Sequence, residues 1–347
     1  MNPSSPVSLS RIFDPAMAQH LSVSGAVAKM SAPNGSSLRP LMLIVETINV
    51  CNSECVFCPY TIQTRPKGVM NEGLFARIVG EYIEMGGGAI SLTPMVGDML
   101  LDRKLPSRMR ELRCHAGRLS SSITTNLYAL EYWSDEQVIE MLGTFERFHV
   151  SCYGITPEEN HAITKKNYHD TFCAQMKRLL RLKRAHNTRA QVALGFRTLY
   201  NYMPDQLSDF QQQAFGEVLS VSGATATYSN WGNAMRGTLP GHARWVAEQE
   251  NHTACVLLAI ALQVYHDGRV SACACCDYDA SPELTLGSLQ EDTLLGLFNS
   301  QKNQLIWNAH QNGNLPKICR NCSFHSPLAA LHPQHLALTN ILQFIGG

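Results

Sequence analysis

The chain has 347 residues, 45% of them apolar, with 28 Lys+Arg balanced by 28 Asp+Glu. That length exceeds what a single core usually supports, so a main domain with a smaller one is expected, and the zero formal charge speaks against a nucleic-acid partner or attraction to an anionic membrane. No basic segment followed by an apolar run opens the sequence, and stretches such as Val256 to Val264 fall well short of the ~20 residues of a membrane span, so a cytoplasmic protein is expected. Twelve cysteines in such a setting are better read as metal ligands than as disulfides.

Residues 1–38, rich in Ser, Pro, Ala and Gly, read as a weakly ordered lead-in. Strand-like and helix-like segments then alternate. Strands are expected at Leu41 to Val45, Ala89 to Leu92, Ser121 to Thr125, Phe148 to Cys152, Gln191 to Phe196 and Ala224 to Tyr228. Amphipathic helices are expected at Glu72 to Met85, Asp135 to Leu142, Phe172 to Ala185 and Met203 to Phe215. Such alternation gives an α/β fold with a parallel sheet. Six units fit a partial (β/α)6 TIM-like barrel over 39–240, with the site at the strand C-termini. From 241 to 347 the pattern changes to a small C-terminal domain and helix. In the run Leu262 to Cys273, Asp267-Gly268 supplies a positive-φ turn between two short strands.

Cys51, Cys55 and Cys58 form C-x3-C-x2-C directly after the first strand. Three thiolates hold three irons of a cubane cluster and leave the fourth open. The competing reading is a structural zinc site, which needs four Cys or His ligands; the next such residues downstream are Cys114 and His115.

This loop resembles that of the radical S-adenosylmethionine (SAM) superfamily. The resemblance implies a [4Fe–4S] cluster whose open iron chelates the SAM amino and carboxylate groups, and reductive cleavage to a 5′-deoxyadenosyl radical. It places Phe57 near the adenine. It likens Val96-Gly97-Asp98-Met99 to a Gly-Gly-Glu-Pro motif that receives the SAM amino group, with Val, Asp and Met as departures. Thr125 and Asn126 end strand three in the manner of a Thr-Asn-Gly motif. Ser151, at the end of strand four, corresponds to a ribose contact, and Arg197 after strand five to a polar contact with SAM.

A second pattern joins Cys255, Cys273, Cys319 and Cys322. It resembles the twitch domain, a shortened SPASM extension that carries one auxiliary [4Fe–4S] cluster, and the helix expected at Thr293 to Asn299 belongs to that resemblance. Four thiolates would saturate the cluster and suit it to electron transfer. A four-cysteine zinc knuckle is the alternative, and would make the chain a zinc-stabilised binding protein.

Within the superfamily the chain is similar to twitch-bearing aminocyclitol dehydrogenases of the butirosin type. That implies hydrogen abstraction from a small hydroxylated substrate (sugar, aminoglycoside or cyclitol) and oxidation of an alcohol to a ketone. An external one-electron reductant of flavodoxin or ferredoxin type would feed the SAM cluster. An arginine that handles the hydroxyl proton in that type is replaced here by Trp231, with Arg236 nearby. Cys275 and Cys276 fit neither cluster pattern, and a thiol hydrogen donor would instead make an epimerase. Peptide modification is a third reading, although the lead-in is short for a leader-binding domain. Cys114, Cys152 and Cys173 read as core residues, and His266 as a turn residue.

Overall fold

The structure is a computed structural model that describes residues 39–325 and 327. The expected lead-in and C-terminal helix lie outside the described residues. Strand β1 (Met42–Val45) is a continuous apolar run, as a strand covered on both faces requires; Leu43 and Val45 are fully buried. There follow α1 (Glu72–Glu84), β2 (Gly88–Leu92), α2 (Leu105–Cys114), β3 (Leu119–Thr125), α3 (Asp135–Thr144) and β4 (Arg147–Tyr153). The succession continues with α4 (Pro157–Thr164), α5 (His169–Ala185), β5 (Gln191–Arg197), α6 (Pro204–Phe215) and β6 (Ser220–Thr225). All six strands pair in parallel in chain order, the arrangement of a partial (β/α)6 barrel. Local signals fix several helix starts: Asn71 accepts the Gly73 N–H, and Ser134 and Gln137 form a reciprocal capping box.

Helices α2 and α4 escape the sequence reading. Each opens with a proline in its first turn, as α6 also does, a position where a helix tolerates it. The last barrel strand also lies earlier than expected. The Ala224 to Tyr228 segment splits, with β6 ending at Thr225 and Thr227–Tyr228 forming β7, which pairs with β8 (Arg244–Trp245). As the sheet edge, β6 is largely exposed, so Ser220, Ser222 and Gly223 sit where no apolar signal is required.

Beyond β8 come α7 (Val256–Ile260), β9 (Ala261–Val264), β10 (Arg269–Ser271), β11 (Thr285–Ser288), α8 (Leu294–Phe298), α9 (Gln301–Gln311) and α10 (Lys317–Arg320). Strand β9 pairs in parallel with β1, in register Met42↔Ala261 to Val45↔Val264. One nine-stranded sheet therefore runs across the boundary expected at 240/241. The β9–β10 connection is the loop Tyr265 to Gly268, in which Gly268 alone takes positive φ (+90°). Asp267 instead accepts the Arg269 N–H at 3.1 Å, a correction to the two-residue Asp-Gly turn.

A buried ion pair reinforces this joint. Glu46, next after β1, is fully buried and receives the Arg65 guanidinium in two bonds of 2.5 and 2.9 Å. His266, from the hairpin loop, lies 3.3 Å from the same carboxylate, and Arg65 also covers the Tyr265 ring. Burial opposes the Arg65 charge, but the Glu46 bonds outweigh it and raise its pKa. Removing one partner of such a pair strands the other charge. Glu46→Ala should cost about 3–5 kcal/mol, read as a lower urea midpoint; an unchanged midpoint would show that the pair is not what holds the joint.

Candidate functional site

The cluster loop leaves β1 and is clamped to the end of α4, where Val56 N–H donates to the Ile163 carbonyl at 2.9 Å and Glu54 N–H to Thr164 at 3.1 Å. Within it, Cys58 N–H closes onto the Cys55 carbonyl at 2.9 Å. Cys55 is buried, and Cys51 and Cys58 half-buried. Burial pushes all three thiols up, Cys58 to about 11, and at Cys55 the neighbouring Cys58 and Cys51 add to it. Thiols held this way stay protonated at neutral pH unless a metal displaces the proton. The donor chemistry therefore suits an iron–sulfur group.

The strand-two motif packs directly against this loop. Gly97 has φ +143°, and a Cβ there would lie 2.9 Å from the Ile48 carbonyl oxygen and 3.1 Å from that of Val50. Asp98 N–H donates to Val50 at 2.9 Å. Val96 is buried beside them. The Asp98 carboxylate is committed to the protein: it accepts the N–H of Asn126 at 2.7 Å, that of Leu100 at 3.0 Å, and the Thr125 hydroxyl at 3.0 Å. Burial raises its pKa to about 6 against those bonds. Asp98 thus serves as a rivet between the ends of β2 and β3, and aims Asn126, whose amide donates to Asn52 Oδ1 at 2.7 Å and approaches Cys51 Sγ at 3.9 Å.

Farther round the mouth, Ser151 on β4 is in register with Gly195 on β5, and Tyr153 with Arg197. The Arg197 guanidinium lies beside Gly195, 3.5 Å from where a Cβ would stand, and close enough to Tyr153 and Tyr228 to lower both phenols against the larger upward effect of burial. Among the described residues it makes no carboxylate ion pair, which leaves it available to an anionic ligand group. The Phe57 ring is stacked on Tyr228 at 4.0 Å and 8°, so one face is already covered.

Trp231 lies between the two cysteine sets. Its indole N–H donates to the Phe57 carbonyl at 2.9 Å, next to Cys58. Its ring meets Tyr278 and Phe324 edge-on at 6.2 and 5.3 Å, residues just beyond Cys276 and Cys322. Its φ of +55° is strained for a bulky side chain; Ser229 Oγ accepts its N–H at 3.1 Å, and Asn230 and Asn233 brace each other. Arg236 is exposed and spends its Nε on the Asn233 carbonyl of its own turn at 3.1 Å. A second tie runs from Thr64 and Arg65 to the segment after Cys276. Thr64 N–H and hydroxyl donate to Asp279 at 2.7 and 2.6 Å, and Arg65 Nε to the Tyr278 carbonyl at 3.0 Å.

Cys255, Cys273, Cys319 and Cys322 line one pocket. Cys275 and Cys276, which fit neither spacing in the sequence, line it too, as do His310 and His325. A hydrogen bond between Cys276 and Cys322 raises the first thiol and lowers the second. Burial, followed by its neighbour His325, holds His310 down to about 4, hence neutral. Among the described residues no three Cys, His, Asp or Glu side chains converge closely enough for a single metal ion. A cubane instead takes its thiolates at separate irons, and thiols spread round an otherwise apolar cavity fit that larger group. Of the cysteines read as core, Cys152 is buried and Cys173 half-buried, but Cys114 is exposed at the end of α2.

A family model described as the radical SAM superfamily matches residues 45–197, and one described as an iron–sulfur cluster-binding SPASM domain matches residues 255–323. The chain therefore carries a radical SAM domain followed by a SPASM-type domain, which imply SAM, its [4Fe–4S] cluster and auxiliary iron–sulfur binding. No curated protein matches it in sequence. Among solved structures it is similar to BtrN in complex with AdoMet and 2-DOIA, at 17% identity and TM-score 0.56, over 83% of this chain and 94% of that one. It is also similar to Streptococcus suis SuiB bound to the precursor peptide SuiA (13%, TM-score 0.57, 82% and 72%) and to anSMEcpe with bound AdoMet (14%, TM-score 0.50, 89% and 100%). At these identities the likeness shows the fold. No described helix is long and apolar enough to cross a membrane.

Sequence reading missed Glu46, Arg65, Asp279 and the two cavity histidines, because each acts through a partner distant in sequence; only the CxxCxxH spacing of Cys319, Cys322 and His325 offered a local signal. Gly97→Ala should weaken SAM binding to the reconstituted protein at least tenfold, about 1.4 kcal/mol, by displacing the backbone that leads into Cys51. Calorimetric titration with SAM reads this, and unchanged affinity would show that the close approach at Gly97 is not needed.

Proposed function

We propose that the protein oxidises an alcohol carbon of a small hydroxylated substrate, of sugar, aminoglycoside or cyclitol type, to a ketone. The observation that carries this reading is the bridge built by Trp231 and by the Thr64–Asp279 tie, which holds the SAM-cluster loop and the auxiliary-cysteine segment side by side. Bound SAM and its cluster would supply the 5′-deoxyadenosyl radical and the auxiliary cluster a one-electron acceptor, chemistry that protein side chains lack. Loss of a hydrogen atom from the carbinol carbon leaves an α-hydroxyalkyl radical. That radical becomes a ketone by releasing the hydroxyl proton to water and one electron to the acceptor, so two hydrogens leave in all.

In this reading the chain's residues orient and exclude. Arg197 meets an anionic group of SAM, Ser151 a ribose hydroxyl, and Asn126 is held by Asp98 against the cluster loop. Phe57 lies near the adenine, its ring braced by Tyr228. Trp231 presents an aromatic wall to the substrate. Indole is a donor only, and this one is already bonded, so Trp231 takes no proton. The likeness to BtrN, whose structure holds 2-DOIA, supports a cyclitol-sized ligand. An external flavodoxin- or ferredoxin-type reductant in the cytoplasm would supply the electron that cleaves SAM.

Epimerisation ranks second. Cys275 and Cys276 are the thiols available as hydrogen donors, but both line the auxiliary cavity and Cys276 bonds to Cys322, which favours a role at the cluster. Peptide modification keeps the likeness to peptide-bound SuiB in its support.

The test is anaerobic turnover with SAM and dithionite against aminocyclitols, aminoglycosides and short peptides, read by mass spectrometry. The expected product is a small molecule lighter by two hydrogens, formed with one 5′-deoxyadenosine each. Cys319→Ala/Cys322→Ala should still release 5′-deoxyadenosine without ketone. A product isomeric with the substrate that is one mass unit heavier when formed in D2O would favour epimerisation, and turnover of peptides alone would replace the substrate class.

A further inference from the structure

His310 hangs from α9 on its buried face with Ile306 and Trp307, and is 0% exposed. Among the described residues, neither of its ring nitrogens has a hydrogen-bond partner. A neutral imidazole carries one N–H, and a buried donor left unpaired is costly. The ring borders the cavity of the six C-terminal thiols, whose remaining walls are Leu257, Leu258, Leu284, Ile318 and Phe324. No oxygen acceptor on those walls answers it. The ring comes near the Thr253 carbonyl, which accepts from His325 Nε2 at 2.8 Å, but makes no bond of hydrogen-bonding geometry to that oxygen. The bond fixes the tautomer of neutral His325, so its buried, unpartnered Nδ1 carries a lone pair and accepts rather than donates. The unused donor on this wall is therefore His310.

We propose that His310 donates its N–H to a sulfur of the auxiliary iron–sulfur cluster and so raises that cluster's reduction potential. A hydrogen bond to cluster sulfur favours the reduced, more negative state, and an electron acceptor is helped by that shift. His310 acts as a positioning residue: it touches neither SAM nor the substrate. The inference rests on the cluster reading of the C-terminal cavity, and does not depend on which alcohol, if any, is oxidised.

The experiment is an EPR-monitored redox titration of the anaerobically reconstituted full chain, comparing wild type, His310→Leu and His310→Asn, with iron counted in each. The Leu variant should lower the auxiliary midpoint by at least a tenfold change in the oxidised-to-reduced ratio, 59 mV for one electron. The Asn variant, which keeps an N–H donor, should recover part of the shift, and the SAM-cluster midpoint should not move. Pulsed EPR of the reduced wild type labelled with ¹⁵N-histidine should show a nitrogen coupling that His310→Leu removes and His325→Leu retains. Equal midpoints in the iron-replete variants overturn the proposal, as does wild type without histidine coupling at a loaded auxiliary cluster. Loss of auxiliary iron in both His310 variants would overturn it in favour of a role in holding the cluster. Wild type lacking auxiliary iron would sink the cluster reading itself.

Discussion

The parallel ladder between β1 and β9 is the constraint on which the rest depends. Strand β1 delivers the C-x3-C-x2-C loop, and β9 with its hairpin carries the chain from Cys255 to Cys273. Hydrogen bonding these two strands makes the positions of the two cysteine sets properties of one sheet, and sheet registers do not slide when one face is buried. The Glu46–Arg65 pair adds a buried charge contact at the same joint, with His266 completing it from the hairpin side. Two redox centres passing single electrons need a fixed separation, and a continuous sheet supplies it better than two domains joined by a linker.

Around that joint, polar groups that would ordinarily serve a ligand are spent on the protein. Asp98 uses its carboxylate on Thr125, Asn126 and Leu100, and Trp231 uses its indole N–H on Phe57. Both thereby pre-organise the loops that face the cofactor, the usual way a site avoids reorganising when it is filled. Trp231 stands where the butirosin-type resemblance leads one to expect an arginine, and in the proposed reading a flat, bonded ring there would meet the substrate by shape and apolar contact.

Much of this was legible in the sequence for a physical reason. Metal ligands on one loop must be close in sequence, so Cys51, Cys55 and Cys58 announce themselves, as does the Cys319–Cys322 pair. Strand β1 was visible as a continuous apolar run, β2 to β5 as short segments alternating with helix-like ones although β3 is mostly Ser and Thr, and so was the capped helix at Thr293 to Asn299. The edge strand β6 faces solvent and carries no such signature. Pairings such as Glu46 with Arg65 and His266, or Thr64 with Asp279, join residues brought together only by the fold. Cys275 and Cys276 were visible as thiols outside either pattern, but only the folded hairpin puts them in the auxiliary cavity. Cys114 shows the opposite error: an apolar residue type at a helix end is as easily exposed as buried.

The central claim is that two separate cysteine sets on one sheet bind two iron–sulfur clusters. The measurement that meets it most directly is the iron and sulfide content of the anaerobically reconstituted wild type beside a Cys51→Ala/Cys55→Ala/Cys58→Ala variant. Two [4Fe–4S] clusters predict about eight irons per chain in the first and about four in the second. A variant that loses all its iron and retains zinc would contradict the account, leaving the C-terminal cysteines as a structural zinc site.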